Sequence, residues 1–187
     1  MVYYYLRVAL ERVEQLYTES RAWLADENLK VVDTHVDILE QMNKKRYFAY
    51  GSNMNPERMR KRMGYLPPSR KAVLQDYSLI FNKISSKNPN EGVANIIPLA
   101  DCFVSGILYE VTDQDLAKLD EYEGVPTNYI RHIVKIECEG ELMNALTYIA
   151  VRVKDGLKPS RDYLNHLLAA KEYLSEDYYQ QLANTSC

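Results

Sequence analysis

The sequence has few of the residues that build metal centres and disulfide frameworks. It contains three cysteines and three histidines in 187 residues, and neither set shows a CxxC or HExxH spacing. An odd number of widely separated cysteines argues against a disulfide framework and for a reducing compartment. We therefore expect a cytoplasmic protein without a metal site.

Long hydrophobic runs are also missing. Arg7 and Glu11 interrupt the first apolar stretch, and no segment approaches the roughly 18 uncharged apolar residues that indicate a membrane-spanning helix. The sequence therefore predicts neither a signal peptide nor a membrane span. The formal net charge of −3 gives no excess of positive charge, so nucleic-acid binding is not expected as the main role.

Glycine and proline are absent before residue 51, and all seven of each lie from Gly51 onward. Because these residues mark turns, their absence permits long helices and indicates a domain boundary. Two apolar stripes with helical spacing predict a helical hairpin over residues 1–45. The stripes contain Tyr3, Leu6, Leu10, Val13, Tyr17 and Leu24, then Leu29, Val32, Val36, Leu39 and Met42. They need a partner surface, either the body of the protein or a second copy, so a homodimer through the N-terminal helices is one of two alternatives.

From residue 46 onward, short β-type runs alternate with turn signals. Six strands are predicted, and few of them have a helix between them. They are expected at residues 47–50, 72–81, 93–97, 103–111, 130–138 and 143–153. Helices are expected near residues 56–63, 114–121 and 160–173, with a last helical segment after Ser175. The prediction is an α+β domain over residues 46–187, with a mixed, mostly antiparallel, six-stranded barrel-like sheet and flanking helices.

The stretch from Tyr47 to Asn53 reads YFAYGSN, an aromatic strand that ends in a small polar turn. A helix start follows it directly, so several backbone N–H groups gather around one point. Such a concavity suits a carboxylate, a phosphate or an oxyanion. The plainer alternative is that Gly51 only permits a tight turn, while Asn53 or Asn55 caps the helix.

Carboxylates concentrate near the end of the predicted helix 114–121, in the run LDEYEG at residues 119–124. Acidic groups there face the negative end of the helix dipole, which costs from a few tenths to about 1 kcal/mol each. One alternative is a solvated helix end. The other is that Glu123, beside the glycine that stops the helix, points into the body, where a desolvated carboxylate suits general base chemistry.

Basic residues cluster in the predicted helix 56–63 and just before the first strand. They are Lys44, Lys45, Arg46, Arg58, Arg60, Lys61 and Arg62. A phosphate-binding patch is conceivable, but charges on a short helix are more often a solvated face, and the remainder of the chain is acidic. Ser52 lacks the GxSxG surroundings of a nucleophilic serine.

The two stretches together resemble the gamma-glutamylcyclotransferase family. The chain has Tyr-Gly-Ser-Asn after an aromatic strand and Leu-Asp-Glu-Tyr-Glu-Gly at residues 119–124. The run at residues 50–59 is similar to that of bacterial members, including the butirosin-biosynthesis cyclotransferase type. Asn53 separates the chain from the glutathione-specific branch, which has leucine there. The resemblance covers residues 46–182 and leaves the N-terminal hairpin outside it.

The resemblance implies an active site and a reaction. In that family the Gly-Ser loop binds substrate and the last glutamate before the glycine is the acid/base, which implies Glu123 as the catalytic residue. The substrate-binding residues implied are Tyr47, Phe48, Ala49, Tyr50, Gly51, Ser52, Asn53, Tyr129, Tyr148 and Tyr163. The expected reaction releases 5-oxoproline and a free amine or amino acid from a small γ-glutamyl amide by intramolecular cyclisation, with no metal or nucleotide cofactor. The alternative is a non-catalytic binding module on the same fold, with the helical hairpin as its interaction element.

The identity of the leaving amine does not follow from these motifs. The pocket that selects it is expected to be built from loops such as residues 85–92. This segment is polar and contains Pro89 and Gly92, which is typical of an exposed loop.

Overall fold

The computed structural model describes residues 11–16 and 44–187. The chain divides into two compact units, Met1–Asn43 and Lys44–Cys187. In the first unit, residues 11–16 are helical, as the first apolar stripe predicts. The rest of the predicted hairpin, and with it the homodimer alternative, lies outside the described residues.

The second unit is a closed five-stranded barrel with helices around it. Its strands are β1 (Lys45–Ala49), β2 (Ser69–Ile84), β3 (Gly92–Val111), β4 (Tyr129–Cys138) and β5 (Glu141–Ala150). Its α-helices are α1 (Pro56–Met63), α2 (Asp113–Glu123), α3 (Arg161–Leu168) and α4 (Glu176–Ala183), and 3₁₀ turns lie at Ser52–Met54 and Lys171–Tyr173. The predicted α+β class with a barrel-like sheet is confirmed.

The strand order around the barrel is β1-β3-β2-β4-β5. Four of the strand pairs are antiparallel, and β1 and β5 close the barrel as a parallel pair. The sheet is therefore mixed and mostly antiparallel, as predicted. Tyr47 on β1 lies opposite Tyr109 on β3 and Leu146 on β5, so the strand that leads into the Gly-Ser-Asn turn is held on both sides.

The prediction of six strands was wrong by one, because the strands expected at 93–97 and 103–111 are parts of the single strand β3. The residues between them continue alongside β2 through a register shift near Gln75 and Tyr77. Asp76 and Asp101 have positive φ values of 60° and 62° at this shift, and the Asp101 N–H donates to the Asp76 carboxylate at 3.2 Å. The long ribbon bends here instead of ending, since a bulge absorbs the extra residues.

The end of β1 is anchored by two buried clusters. Phe48 and Tyr50 belong to one, while Tyr47 and Ala49 belong to the other, which also contains Met59 of α1. Successive side chains of a strand point to opposite faces, so alternate residues of β1 enter different clusters. The polar turn that follows β1 therefore begins from a fixed position.

Helix caps define the two helices that flank this turn. The Asn55 side chain accepts two first-turn N–H groups of α1 at 2.9 and 3.1 Å, with Pro56 as the first helical residue. Thr112 caps α2. Gly64 and Gly124 end these helices in the left-handed conformation, with φ values of 90° and 66°, which glycine adopts without strain.

Asp115 is the second member of a capping box at the start of α2 and is 3% exposed. Its carboxylate accepts from the Thr112 N–H and hydroxyl at 3.1 and 2.9 Å, and from the Tyr65 hydroxyl at 2.6 Å. Burial raises the pKa of Asp115, but the bonds from Tyr65 and Thr112 and the Lys118 ammonium outweigh burial and hold the pKa below its usual value. This carboxylate therefore stabilises the fold above its unfolded-state pKa of about 3.9, and the contribution is lost as pH falls through the lower folded-state pKa.

We expect Asp115→Asn to lower the free energy of unfolding by about 1–3 kcal/mol at pH 7, because a neutral amide oxygen accepts the Tyr65 and Thr112 hydrogen bonds less strongly than a carboxylate and loses the attraction to Lys118. Urea denaturation measured from pH 7 down to pH 3 checks this. The difference from the wild type should shrink at the acidic end, where the wild-type carboxyl also becomes protonated. Asp113→Asn, at an exposed position in the same helical turn, is the matched control and should change stability by less than about 0.5 kcal/mol. A difference that stays constant with pH would contradict the role given to the charge.

Candidate active site

A cavity of ≈ 580 Å³ lies where the Gly51 turn, the end of α2, the loop between β2 and β3, and the start of α3 meet. This volume is within the range typical of small-molecule sites. Nearly all of the predicted site residues line it. They are Tyr47, Tyr50, Gly51, Ser52, Asn53, Glu123, Tyr129, Tyr148 and Tyr163. The structure thus brings together residues that are far apart in the sequence.

Phe48 and Ala49 of the predicted set are not among the residues that line this cavity. Both are buried in the core. The Phe48 ring packs against Gly106, where an added Cβ would lie 2.8 Å from ring atoms, and the Phe48 carbonyl accepts the Thr147 hydroxyl at 2.8 Å. These two residues hold the strand beneath the turn and do not face the cavity.

Gly51 is closely packed against the wall of the cavity. A Cβ there would lie 3.1 Å from the Ala94 Cβ and 3.2 Å from the Tyr163 hydroxyl oxygen. The chain then forms the 3₁₀ turn Ser52–Met54, in which the Met54 N–H donates to the Gly51 carbonyl at 2.9 Å. The glycine therefore lets the wall of the cavity approach the backbone of the turn.

Asn53 connects the turn to the acidic end of α2. It is 3% exposed, and its Nδ2 donates to the Tyr47 hydroxyl at 2.7 Å and to Glu123 Oε1 at 3.0 Å. Its Oδ1 accepts from Arg62 Nη1 at 2.6 Å. Of the two asparagines that the sequence offered as helix caps, Asn55 caps α1, and Asn53 joins this buried network.

Glu123 is the last residue of α2, and its carboxylate points toward the Gly51 turn. Its side chain is 16% exposed and lies 2.7 Å from Arg62 Nη1 through Oε1. Of the two alternatives that the sequence left open for this carboxylate, the structure has the one in which Glu123 points into the body. The guanidinium also supplies the positive charge that offsets the unfavourable position of a carboxylate at a helix C-terminus.

Arg62 is the site residue that the sequence reasoning missed. Its side chain is 10% exposed, it donates to both Asn53 and Glu123, and its guanidinium lies 4.7 Å from the Tyr122 ring centroid. The predicted solvated face is found at the exposed residues Arg60 and Lys61 but not at Arg62. Residues four apart lie on one face of a helix. Arg58 and Arg62 have this spacing, and both line the cavity. This spacing is the signal in the sequence from which Arg62 could have been predicted as a site residue.

The cavity tyrosines are hydrogen-bonded and neutral near pH 7. The Tyr129 hydroxyl donates to the Ala94 carbonyl at 2.9 Å, the Tyr148 hydroxyl donates to Asp120 at 2.8 Å, and the Tyr163 hydroxyl accepts the Ala94 N–H at 3.0 Å. Burial raises the pKa of Tyr163 to about 12 and also raises the pKa of Tyr129 and of Tyr148. These hydroxyls are therefore donors and positioning groups, and none of them is a base at neutral pH.

Two further structural findings concern residues 11–16 and 44–187 only. No group of three or more histidine, cysteine, aspartate or glutamate side chains there could hold a metal ion. Within the same ranges, none of the helices has the length and apolar character needed to cross a bilayer.

His166 also lines the cavity, and its Nδ1 atom lies 3.1 Å from Nδ2 of Asn55, the residue that caps α1.

The barrel and its cavity define an enzyme-type site, in which a partly buried carboxylate, a guanidinium and a glycine turn converge. Residues 47–166 match the family described as gamma-glutamyl cyclotransferase, AIG2-like. The chain is 29% identical to the gamma-glutamylcyclotransferase of Mus musculus and 31% identical to that of Homo sapiens, each over 143 residues that cover 73% of this chain and 76% of the relative. A solved structure named gamma-glutamyl cyclotransferase matches with a TM-score of 0.70 at 28% identity, covering 76% of this chain and 88% of that chain. The chain belongs to the gamma-glutamyl cyclotransferase family and is an enzyme of that family.

These comparisons confirm the family that the Gly51 turn and the Glu123 stretch resemble. The matched residues, 47–166, begin at the end of the predicted N-terminal hairpin. The similarity to the bacterial butirosin type is a finer assignment and stays a prediction.

Proposed function

We propose that this protein releases 5-oxoproline and a free amine or amino acid from a γ-glutamyl amide. The observation that carries the proposal is the partly buried Glu123 carboxylate, held by Asn53 and Arg62 beside the Gly51 turn. The substrate supplies its own nucleophile, because its α-amine can close a five-membered ring on the γ-carbonyl carbon. Intramolecular attack already provides much of the entropic advantage, so the protein mainly orients the substrate, moves protons and stabilises charge.

Glu123 is the acid/base of the proposed reaction. It accepts a proton from the substrate α-ammonium, and the free amine then attacks the γ-carbonyl carbon. As the tetrahedral intermediate collapses, the C–N bond to the leaving amine breaks and Glu123 returns a proton to the leaving nitrogen. The α-nitrogen loses two protons in becoming a lactam N–H, and the leaving nitrogen gains two in becoming an ammonium. The reaction therefore balances without water or a co-reactant.

The Gly51 turn binds the negative charges of the substrate in this proposal. Backbone N–H groups at residues 51–53 receive the substrate α-carboxylate or the developing oxyanion, and a single donor aimed at an oxyanion is worth about 3–4 kcal/mol. Gly51, Ser52 and Asn53 all line the cavity, which supports a close approach of substrate to this backbone. Tyr163 would close that side of the site.

The proposed function is tested by product analysis on a panel of γ-glutamyl amino acids and γ-glutamyl alkylamines. Purified full-length protein should form 5-oxoproline in equimolar amount with the released amine, measured by mass spectrometry. A matched substrate whose α-amine is acetylated should give no product, because its nucleophile is blocked. Formation of glutamate in place of 5-oxoproline would mean hydrolysis and would contradict cyclisation. Tight binding of the panel without any product would favour the non-catalytic binding module.

A further inference from the structure

Asp120 on α2 is a carboxylate that the proposed mechanism does not use. It is not among the residues that line the cavity, but its Oδ1 accepts the hydroxyl proton of Tyr148, which does line the cavity, at 2.8 Å. Asp120 comes three residues before Glu123, the last residue of α2, and residues three apart are neighbours on a helix surface. Asp120 therefore lies on the side of α2 that carries the candidate acid/base, and it reaches the cavity through a tyrosine.

The guanidinium of Arg131 on β4 fixes the orientation of the Asp120 carboxylate. Arg131 Nε donates to Asp120 Oδ1 at 2.8 Å, and Arg131 Nη2 lies 2.7 Å from Oδ2, so both carboxylate oxygens are held. Arg131 is the cross-strand partner of Tyr148, which places the two side chains on one face of the sheet. The Asp120 and Arg131 side chains are 28% and 39% exposed, and an ion pair this exposed adds little stability. Its specific effect is to present Oδ1 to the Tyr148 hydroxyl.

Tyr148 is fixed by its other contacts as well. It is 3% exposed, its ring meets the Tyr47 ring edge to face with centroids 5.6 Å apart, and its backbone carbonyl accepts the Tyr50 hydroxyl. The Tyr47 hydroxyl in turn accepts from Asn53, which also donates to Glu123. Tyr148 therefore packs among the residues that surround Glu123.

The bond to Asp120 decides what the Tyr148 hydroxyl can offer to a ligand. A phenol has one proton to donate and two lone pairs that accept. Burial and the hydrogen bond to Asp120 raise the pKa of Tyr148, so the proton stays on the phenol oxygen and is committed to the carboxylate. A hydroxyl that donates to a carboxylate is polarised into a stronger acceptor. Toward the cavity Tyr148 can therefore act only as an acceptor, which suits a cationic N–H group best.

We propose that Asp120 is a positioning residue, which holds the Tyr148 hydroxyl so that its oxygen accepts a hydrogen bond from the substrate α-ammonium. This inference rests on the proposed function. In that function Glu123 takes one proton from the α-ammonium, and the phenol oxygen accepts an N–H that remains on the nitrogen. The acceptor serves the ammonium and the free amine alike, so it binds and orients the substrate before and during the attack. Without Asp120, the phenol could turn its own proton toward the ammonium, and two donors would face each other.

A double-mutant cycle on a γ-glutamyl amide that the full-length wild type turns over tests this role. Tyr148→Phe should raise KM by about 10- to 100-fold, the range of a hydrogen bond to a charged group. Asp120→Ala should raise KM by about 3- to 10-fold, the range of an ordinary hydrogen bond, and kcat should stay within about threefold in both variants. Added to Tyr148→Phe, Asp120→Ala should change KM by less than about twofold, because the hydroxyl through which it acts is gone.

Two further variants show whether the effect belongs to the hydrogen bond. Asp120→Asn should recover part of the loss seen in Asp120→Ala, because an amide oxygen can still accept the phenol proton. Asp113→Ala, at an exposed aspartate of the same helix, is the matched control and should keep the wild-type KM. Thermal unfolding verifies that each variant is folded.

A competitor without the α-amine gives a second measurement. The matching glutaryl amide lacks only this amine, so it cannot cyclise, and its inhibition constant reports binding alone. Asp120→Ala should leave that constant unchanged while it weakens binding of the γ-glutamyl amide. Equal weakening of both compounds would overturn the inference. So would an Asp120→Ala effect of the same size with and without Tyr148→Phe, because Asp120 would then support the fold without acting through the hydroxyl.

Calorimetric binding of both compounds to the wild type and to Asp120→Ala separates this inference from the proposed function. Selective weakening for the γ-glutamyl amide, with no 5-oxoproline formed, would support the hydrogen bond to the α-ammonium and refute the function. Formation of 5-oxoproline by folded Asp120→Ala at the wild-type KM would refute the inference and leave the function standing.

Discussion

Glu123→Gln is expected to lower kcat for 5-oxoproline release by about 10²- to 10⁴-fold, the usual contribution of a general acid/base. The amide keeps the volume of the side chain, and its oxygen can still accept from Arg62 and Asn53, which lie 2.7 and 3.0 Å from Oε1. It cannot accept the ammonium proton or return it to the leaving nitrogen. The loss should therefore appear in kcat, with a small change in KM.

Steady-state kinetics on a γ-glutamyl substrate that the wild type turns over provides the measurement. Glu137→Gln, at an exposed glutamate on β4, is the matched control for loss of one carboxylate and should keep the wild-type rate. Thermal unfolding of each variant shows whether a lost rate reflects a lost fold. If folded Glu123→Gln releases 5-oxoproline as fast as the wild type, Glu123 is not the acid/base.

Local signals in the sequence predicted most of the fold around the site. The Asn55-Pro56 start and the Gly64 end of α1, the Thr112 start of α2 and the Gly124 turn act over a few residues, so each can be recognised without knowledge of the rest of the chain. The continuity of β3 could not be predicted in this way. It depends on pairing with β2 across the register shift, and a segment with turn residues looks the same whether it bends a ribbon or ends a strand.

The candidate site was predictable only in part, for a related physical reason. The Gly51 turn and Glu123 were found because each belongs to a recognisable short motif. Arg62 belongs to none, and its burial depends on a residue far away in the sequence, Glu123. A charged side chain on a short helix or strand is normally solvated. A prediction based on this rule is wrong at the positions where a functional site keeps a charged group away from water.

Arg62→Leu is expected to lower kcat/KM by about 10²-fold, the loss that a small misplacement of a catalytic group can cause. One guanidinium nitrogen donates to both Asn53 and Glu123, so this residue sets their relative orientation. Arg62→Lys should recover a minor part of the loss, because an ammonium supplies the charge but lacks the planar fork of donors. Arg60→Leu, two residues away on the exposed face of α1, is the matched control and should retain the wild-type kcat/KM.

The split between kcat and KM distinguishes a positioning role for Arg62 from a purely structural one. A misplaced acid/base weakens an interaction made only in the transition state, so Arg62→Leu should lower kcat with a small change in KM, and Arg62→Lys should recover part of the lost kcat. A loss found in KM alone, with the wild-type kcat, would mean that Arg62 does not position Glu123. Unchanged activity would mean that substrate binding replaces the Arg62–Glu123 pair with other contacts.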